Sequence, residues 1–552
     1  LGLVVRGRER DAQARGAGRH GGRTNRGHQE AALLERSAGG QGAFFNSSAT
    51  EAKVLGRISG GGSYVVGGSG NIVLASQTGG GTITKNGSGT LTIGTVQDTT
   101  DNDSVAVVVN AGRVVLAKPS TTTIHALGGT STVNAGILQL AGTGPDQLFY
   151  GMQLKLNGGL LDLNGRNGVV STLVSDTPTI AGTVANNATG VSTFTVGGNA
   201  NGGNGTSTFF GQLVDNTNAG AGQLRLEKDG TGTFNLAAAA GYTGGTAVTR
   251  GTLNIGANGY VGSLLGEVAV ATGATLGLNR MDDFTFANAV TGAGNLAVNG
   301  SGKVTVSGAN TYLGATTVNA GRLLLGAAST EAVTGALGAN TGALVLNAGV
   351  LDLNGFSLAK GAVGGTAGFQ VINNGAAPAT LTLGVGNVAG TLAADLNDGA
   401  STLALRKVGT GALTIQGNSF YTGGVTVEAG RLVLGSSTAL GRNTTVTVLA
   451  GASLDINNTY HGNADNGARR FNVVLAGAGD GTAVNPALGN TNATGPNASV
   501  GIYNLTLAAN ATFGGNGGRF DIGRVEGSEA YGAIASASGE TYTLTKVGTN
   551  QV

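Results

Sequence analysis

The chain contains 552 residues, of which 104 are glycine and only 11% are charged, whereas hydrophobic residues make up 40%. This composition is too apolar for a disordered chain and too rich in glycine for long helices, because glycine weakens a helix at interior positions. The absence of cysteine excludes disulfide bonds and thiolate metal sites, and no apolar run of about 18 residues predicts a membrane-spanning helix. An all-β protein is therefore expected, with more residues than one compact core usually holds.

Residues 1–40 form a basic leader that differs from everything after it. Eight arginines precede Ser37 against four acidic residues, and they account for the formal net charge of +2, so the rest of the chain is slightly acidic. A disordered or non-native leader is favoured over an arm that binds nucleic acid or another polyanion. Because the remainder has no basic excess, no nucleic-acid partner is expected for it.

Residues 41–552 are interpreted as a single β-helix solenoid, because a repeat recurs along them. Repeats lie near 81–116, 222–256, 292–326 and 403–435, with a truncated copy at 541–552. In the three copies that align without gaps, a tyrosine follows the first glycine by 12 residues and another glycine follows it by 21. The repeat positions are Gly230, Gly232, Tyr242 and Gly251 in one copy, Gly300, Gly302, Tyr312 and Gly321 in the next, and Gly409, Gly411, Tyr421 and Gly430 in the third.

Short strands are predicted on both sides of each glycine turn. Leu323 and Leu325 alternate with Arg322, which is the period of a strand with one buried face, and Val318 marks a strand before the turn. Short strands joined by turns too short for a helix favour a right-handed parallel β-helix, in which each strand stacks on its equivalent in the next coil. Coils of about 22 to 25 residues would give on the order of 20 coils. An antiparallel β-roll and a β-propeller are the alternatives.

The segment from Lys407 to Gly435 reads Lys-x-Gly-x-Gly-x-Leu-Thr-Ile, then Tyr-Thr-Gly-Gly-x-Thr-Val-x-Ala-Gly-x-Leu-x-Leu-Gly. This pattern closely resembles the autotransporter-associated β-strand repeat of bacterial surface proteins. The copy at 292–326 departs from it, with Val298 in place of the lysine and Leu313 in place of the threonine. The resemblance implies export through the outer membrane, an extracellular or cell-surface location, and a translocator barrel as partner that is not in this chain. It also implies that the repeats assist transport or folding.

Candidates for catalysis or metal binding are few, and no cofactor is expected. His125 and His461 are isolated in the sequence and are predicted to lie in solvated turns. Asp282 and Asp283 are adjacent carboxylates of the kind that polysaccharide-cutting enzymes need, but the motif partners of polygalacturonases are missing. The acidic insert from Asp98 to Asp103 offers oxygen ligands for Ca²⁺, yet it lacks the closing glutamate of an EF-hand and is predicted to be a solvated loop.

Two sets of basic residues recur with the repeats. They are predicted to form solubilising ladders on the surface, with binding of a polyanion or a glycan as the alternative. One set comprises Lys85, Lys228, Lys407 and Lys546, and the other comprises Arg113, Arg322 and Arg431.

The leading functional hypothesis is a non-catalytic secreted or cell-surface passenger or stalk. The second hypothesis is an adhesin that binds host or matrix glycans or proteins through inserted loops, namely 98–104, 183–222 and 457–496. The third is a polysaccharide-degrading β-helix enzyme, which the sequence favours least.

Overall fold

The structure, a computed structural model, describes residues 33–36, 42–55, 58–59, 62–75, 77–78, 80–144, 146–197, 205–331, 334–361, 363–441, 444–459, 471–479, 485–492, 501–519, 521–523 and 532–552. Most of the predicted leader, His461 and much of the segment 457–496 lie outside these residues. The chain divides into two compact units. Unit 1 comprises residues 1–257 and 261–266, and unit 2 comprises residues 258–260 and 267–552.

Unit 1 is built from short strands. They are β1 (Leu33–Arg36), β2 (Gly42–Phe45), β3 (Ala52–Val54), β4 (Ile58–Ser59), β5 (Tyr64–Gly67), β6 (Ile72–Leu74), β7 (Gln77–Thr78), β8 (Gly81–Lys85), β9 (Thr90–Ile93), β10 (Val105–Val109), β11 (Arg113–Leu116), β12 (Ser131–Val133), β13 (Ile137–Leu140), β14 (Gln153–Leu156), β15 (Leu160–Asp162), β16 (Gly168–Val170), β17 (Thr172–Val174), β18 (Thr183–Ala185), β19 (Gly190–Val196), β20 (Thr206–Phe209), β21 (Gln212–Val214), β22 (Gly222–Lys228), β23 (Thr233–Leu236), β24 (Thr246–Val248) and β25 (Thr252–Gly259), whose last two residues belong to unit 2.

Unit 2 continues with strands of the same kind. They are β26 (Val268–Val270), β27 (Thr275–Arg280), β28 (Phe284–Phe286), β29 (Val290–Gly292), β30 (Asn295–Val298), β31 (Lys303–Val306), β32 (Thr316–Val318), β33 (Arg322–Leu325), β34 (Leu344–Leu346), β35 (Val350–Asp352), β36 (Leu358–Lys360), β37 (Val363–Gly365), β38 (Gln370–Asn373), β39 (Ala379–Leu383), β40 (Gly390–Leu392), β41 (Asp395–Asp398), β42 (Leu403–Lys407), β43 (Leu413–Ile415), β44 (Val425–Val427), β45 (Gly430–Leu434), β46 (Thr445–Leu449), β47 (Ala452–Asp455), β48 (Asn472–Ala476), β49 (Leu488–Gly489), β50 (Gly501–Ile502), β51 (Asn504–Leu507), β52 (Ala511–Gly514), β53 (Asp521–Ile522), β54 (Ile534–Ser536) and β55 (Leu544–Val547). Short 3₁₀ turns lie at Val385–Asn387 and Ala537–Gly539.

In each unit the strands stack in parallel on their equivalents in neighbouring coils. In unit 1 one sheet runs β2-β5-β8-β10-β12-β14-β17 and another runs β3-β6-β9-β11-β13-β15-β18-β21. In unit 2 the longest sheet runs β36-β39-β42-β44-β46-β48-β51-β54. Strand β1 pairs antiparallel with β2, unlike the stacked pairs around it. The predicted parallel β-helix is confirmed, and the described residues make about 18 turns.

Apolar ladders fill the interior of the coils. In unit 1 one ladder places four buried side chains in register, and in unit 2 another places five. A fully buried aliphatic side chain contributes roughly 2 kcal/mol, so each coil adds its own share of apolar burial. The first ladder is Leu74, Ile93, Leu116 and Leu140, and the second is Leu405, Val425, Val446, Val473 and Leu505.

An aspartate and an asparagine build a recurrent corner. The buried carboxylate of Asp352 accepts hydrogen bonds from the backbone N–H of Asn354 and Asn374, and the amide of Asn354 donates to the carbonyl of Leu325 in the preceding coil. Asn354 has a φ of 51°, a left-handed conformation that asparagine tolerates better than most residues. Equivalent corners form at Asp162–Asn164 and Asp455–Asn457.

On the exposed surface of unit 1, asparagine amides form a ladder parallel to the stack of coils. Asn110 donates to Asn86 over 2.9 Å, Asn134 donates to Asn110 over 2.9 Å, and Asn157 donates to Asn134 over 3.5 Å. Each rung joins one coil to its neighbour.

The segment 183–222 differs from its prediction as an inserted loop. It contributes strands β18, β19, β20 and β21, which pair in parallel with neighbouring coils. The glycines and asparagines between these short strands are residues typical of loops, which is why the sequence resembled one.

Candidate functional site

Each close copy of the repeat consists of two stacked coils. In the copy at 403–435, β42 pairs with β44 and β43 pairs with β45, so the second half of the repeat lies directly on the first half. Lys407 is in register with Val427, and Leu413 is in register with Leu432. These register steps are 20 and 19 residues, shorter than the coil length expected from the sequence, because the turns between the paired strands are tight.

The two glycine turns of a repeat contact each other through their backbones. Gly430 has a φ of 65°, and a Cβ added to it would lie 2.6 Å from the carbonyl oxygen of Gly409. A side chain there would be strained by the left-handed backbone and would collide with the turn below. Gly251 and Gly321 stand in the same position, each with a positive φ, and a Cβ added to either would lie 2.4 to 2.5 Å from the equivalent carbonyl oxygen.

The repeat lysine lies beneath the first glycine turn, inside the coil. Nζ of Lys407 donates hydrogen bonds to the carbonyl oxygens of Val408 at 2.7 Å, Gly409 at 2.7 Å and Ala429 at 3.0 Å. The first two carbonyls belong to the turn that follows the lysine, and the third belongs to the turn of the next coil. We call this arrangement the lysine cradle, and it joins two successive coils through one ammonium group.

The lysine cradle recurs at Lys85 and Lys228, each of which donates to two carbonyls of its own turn and one of the next coil. Lys85, Lys228 and Lys407 are at most 2% exposed, so the prediction that they form a solubilising surface ladder is wrong. Lys546 is exposed and donates to the two carbonyls of its own turn.

Burial governs the protonation of these lysines. Burial lowers the pKa of Lys228 and Lys407 to about 8, and it also lowers the pKa of Lys85. Carbonyl oxygens accept from the ammonium form and satisfy its donors, which is what makes a buried lysine tolerable.

The repeat tyrosines are also inside the coils. Tyr242 and Tyr312 are fully buried, and each hydroxyl is hydrogen-bonded to a threonine four residues later, Thr246 at 2.7 Å and Thr316 at 2.6 Å. Tyr421 is equally buried, but Val425 replaces the threonine and the hydroxyl has no side-chain partner. Burial raises the pKa of all three phenols. The tyrosines are therefore packing residues with a polar tip, and none is placed to act on a ligand.

The repeat arginines pair with groups in the next coil. Arg322 lies 2.6 Å from Asp352, Arg431 lies 3.5 Å from Asp455, and Arg113 donates to Gln139 at 2.9 Å. These contacts use the guanidinium groups to link coils, so the alternative of a polyanion-binding ladder has less free charge than the sequence suggested.

Three successive coils of unit 1 carry long connections that stack on one another. We call residues 94–104, 117–130, 141–144 and 146–152 the loop stack. Asn102 donates its backbone N–H to His125, and Ala126 and Leu127 donate theirs to Gln147. The side-chain amide of Gln147 donates in turn to the carbonyl of Lys118 at 2.6 Å.

The acidic insert is built into the loop stack rather than solvated as a whole. Asp98 is 6% exposed and Asn102 is 1% exposed, whereas Asp101 and Asp103 are exposed. The carboxylate of Asp98 lies 3.1 Å from Nζ of Lys118, which occupies the place that a cation would take. The prediction of a solvated loop is therefore wrong for Asp98, because its partner is a lysine in the next coil that the sequence did not link to it.

The sequence predicted that His125 lies in a solvated turn, and this prediction is also wrong. The residue is 2% exposed, its Nδ1 lies 2.9 Å from Oδ1 of Asp101, and its ring packs edge-on against Phe149. Phe149 and the exposed Tyr150 lie beside it with ring centroids 4.4 Å apart. The loop stack thus presents an aromatic surface beside a carboxylate.

Unit 2 has two adjoining concavities on the outer face of its longest sheet. Their volumes are about 320 and 360 Å³, and both are lined by Thr380 and Arg406 together with other threonines. Arg406 is held by Glu428 through two contacts of 2.6 Å and by Glu331 at 2.6 Å. The guanidinium is neutralised there, so these concavities offer hydroxyl groups rather than a free positive charge.

The adjacent carboxylates proposed for an enzyme have different partners. Asp282 lies 2.5 Å from Arg280 and Asp283 lies 2.5 Å from Lys303. Across the part of the chain that the structure describes, no three histidine or acidic side chains are grouped so that they could hold a metal ion. Within the same residues, no helix has the length and apolar character to cross a membrane.

Comparisons with known proteins bear on the repeats and on half of the chain. A family model described as passenger-associated-transport-repeat matches residues 226–255, 291–325 and 405–434, the three copies that align without gaps. The chain is 28% identical over 292 residues to the Adhesin BmaC autotransporter of Brucella suis biovar 1 (strain 1330). The alignment covers 50% of this chain and 8% of that protein, so this chain spans a small part of its relative's length. No solved structure matches the chain.

Proposed function

We propose that the chain is part of an autotransporter passenger and serves as a non-catalytic β-helical stalk whose repeats assist export and folding. The matches to the passenger-associated transport repeat and to an autotransporter adhesin support this proposal. Passengers of this family imply a cell-surface or extracellular location. The partner for export is an outer-membrane translocator barrel carried by the complete protein. This proposal rests on the way in which each repeat joins consecutive coils.

The lysine cradle and the stacked glycines carry the proposal. Lys407 satisfies its third donor only when Ala429 of the next coil is in place, and Gly430 then lies against Gly409. A solenoid coil contacts only its neighbours, so folding can proceed by adding one coil at a time. A repeat that locks each new coil onto the previous one opposes back-sliding of the emerging chain.

Export of the complete parent protein tests this role. In-frame deletion of residues 403–435 is expected to lower the surface yield and the protease resistance of the passenger. A finer variant is Gly430→Ala, which prevents close stacking, with Gly364→Ala as its control because an added Cβ at Gly364 meets no heavy atom within 4 Å. Unchanged surface yield and protease resistance in the deletion would contradict the proposal.

A second candidate function, adhesion, is supported by the loop stack. The exposed ring of Tyr150 lies beside Phe149, with the carboxylate of Asp101 bonded to the same histidine that both rings contact. Aromatic faces with adjacent carboxylates suit sugar rings and their hydroxyl groups. The relative is named an adhesin, which is consistent with this proposal for the present chain.

Retention of residues 41–552 on host and matrix glycans or proteins tests adhesion. Tyr150→Ala is expected to abolish retention, whereas Tyr260→Ala, at a tyrosine that is 67% exposed elsewhere, should leave it unchanged. Failure of the unaltered chain to bind any member of the panel, or equal loss in both variants, would count against a site in the loop stack.

A further inference from the structure

The geometry of the loop stack points to an intramolecular amide bond between the side chains of Lys118 and Asp98. The two side chains are 0% and 2% exposed, and Nζ of Lys118 lies 3.1 Å from Oδ2 of Asp98. Reacting groups held at about 3 to 3.5 Å in a fixed geometry react far faster than the same groups free in solution. The bond would staple two successive coils in a chain that has no cysteine and therefore no disulfide.

A hydroxyl group connects the two partners in the direction that the reaction requires. Nζ of Lys118 donates to Oγ1 of Thr100 at 3.1 Å, and this hydroxyl donates to Oδ1 of Asp98 at 2.5 Å. Protons can therefore pass from the amine to Oδ1 without leaving the site. The carbonyl oxygen of Thr100 accepts another hydrogen bond from Nζ at 2.6 Å and keeps the amine oriented.

The condensation balances without any further reactant. One proton passes from the ammonium group through Thr100 to Oδ1, which leaves a neutral amine and a carboxylic acid. The nitrogen lone pair forms a bond to Cγ of Asp98, and a second proton follows the same route to Oδ1. The Cγ–Oδ1 bond then breaks and water departs, so that Oδ2 remains as the amide oxygen and the nitrogen keeps one hydrogen.

The surroundings favour the neutral amine that attacks the carboxyl group. Burial lowers the pKa of Lys118, although Asp98 opposes that shift by its charge and hydrogen bond. A desolvated lysine is the form in which this residue acts as a nucleophile. Two opposite charges out of water are also expensive to maintain, and conversion to a neutral amide removes both of them.

The other buried lysines of the described residues supply matched controls. Lys85, Lys228 and Lys407 contact backbone carbonyls, which are amides already, and Lys360 likewise donates to the carbonyls of Leu337 and Ala339. Lys118 differs from them in facing a carboxylate. Burial alone therefore does not select a lysine for this reaction.

The mass of the folded 552-residue chain tests the proposal, on protein first shown to be folded by its resistance to protease. The chain is expected to weigh about 18 Da less than its sequence, the mass of one water. Lys118→Arg and Asp98→Ala should both restore the sequence mass, whereas Lys85→Arg should keep the deficit. Trypsin should release a branched peptide that joins residues 86–113 to residues 114–155.

Thr100→Val tests the proton route through the hydroxyl while it leaves Lys118 and Asp98 in place. It removes the hydroxyl and is expected to leave a measurable fraction of chains at the full sequence mass. Complete condensation in this variant would contradict the proposed proton route. The full sequence mass in the unaltered folded chain, without the branched peptide, would overturn the amide bond and leave Lys118 and Asp98 as an ion pair.

Discussion

The repeats at 403–435 and 292–326 form their first glycine turn in two different conformations. In the first, Lys407 fills the inward position before the turn and Gly409 is left-handed, with a φ of 69°. In the second, Val298 fills that position and Gly300 does not have a positive φ. The copies at Lys85 and Lys228 follow the first pattern, each with a left-handed glycine two residues after the lysine.

This difference shows that the lysine and the turn conformation are one feature. The left-handed turn directs two carbonyl oxygens inward, where only a buried donor can satisfy them. The ammonium group supplies that donor. Where valine replaces lysine, the turn adopts another conformation and the interior remains apolar. Four measurements on the two repeats follow, from the largest expected effect to the smallest. The first two test the lysine, and the last two test the hydrogen bond of the repeat tyrosine.

Lys407→Met is expected to destabilise its coil by about 3 kcal/mol, because three buried carbonyls lose their donor. The measurement is hydrogen exchange at the backbone amides of β44, which reports local opening in a solenoid. Lys303→Met is the control, since Lys303 is 42% exposed and bonds only to Asp283 among the charged groups of the described residues. Equal exchange rates in the two variants would show that the cradle adds no stability.

Stability should also rise with pH in an alkaline window. The pKa of Lys407 is about 8 in the folded chain against 10.5 for an ordinary lysine, so the unfolded state binds more protons between these values. The free energy of unfolding that depends on this lysine is therefore highest above pH 10.5 and is lost as the pH falls through about 8. The free energy of unfolding changes by no more than about 1.4 kcal/mol per pH unit. Unfolding midpoints from about pH 7 to 10 measure it, and Lys407→Met should reduce the slope without abolishing it, because the pKa values of Lys228 and Lys360 are also about 8.

Thr316→Val should destabilise the other repeat by about 1 to 2 kcal/mol. The change keeps the side-chain volume but leaves the buried hydroxyl of Tyr312 without its partner at 2.6 Å. Exchange at the amides of β32 measures the effect. The double variant Tyr312→Phe with Thr316→Val should recover much of the loss, and failure to recover it would show that the hydrogen bond is not the cause.

Val425→Thr should make the opposite change in the repeat at 403–435, with a gain of about 0.5 to 1 kcal/mol. The new hydroxyl would face that of Tyr421, in the same register as the Tyr312–Thr316 pair. Val448→Thr is a suitable control, because it adds a buried hydroxyl at a position whose register partners are Val427 and Leu475. A gain from both variants, or from neither, would contradict the pairing.

The architecture was predictable from the sequence because its signals are local. Leu413 and Ile415 flank the polar Thr414, and the 21-residue glycine interval measures one coil. Those two facts lead to stacked parallel strands without any knowledge of distant contacts. The segment 183–222 escaped the prediction since its strands are short and bordered by glycine and asparagine.

The lysine cradle and the loop stack were not predictable in the same way. The period of the strand places Lys228 on the same face as Leu224 and Leu226, but a charged residue is seldom assigned to a core, and only the carbonyls beside Lys228 make its burial favourable. Lys118 meets Asp98 because two long connections stack, a contact that depends on their conformation and not on spacing. His125 was assigned to solvent for the same reason, as its partner Asp101 lies in the coil before it.

The loop stack has a consequence for the order in which coils assemble. Because the coils resemble one another, a coil that stacks on the wrong neighbour would still contact an asparagine of the ladder and a glycine turn. It would not find Asp98, and Lys118 would then be buried as an unpaired charge, which costs about 3 to 5 kcal/mol. The contact between Lys118 and Asp98, made before the amide bond forms, therefore distinguishes the correct neighbouring coil from similar ones.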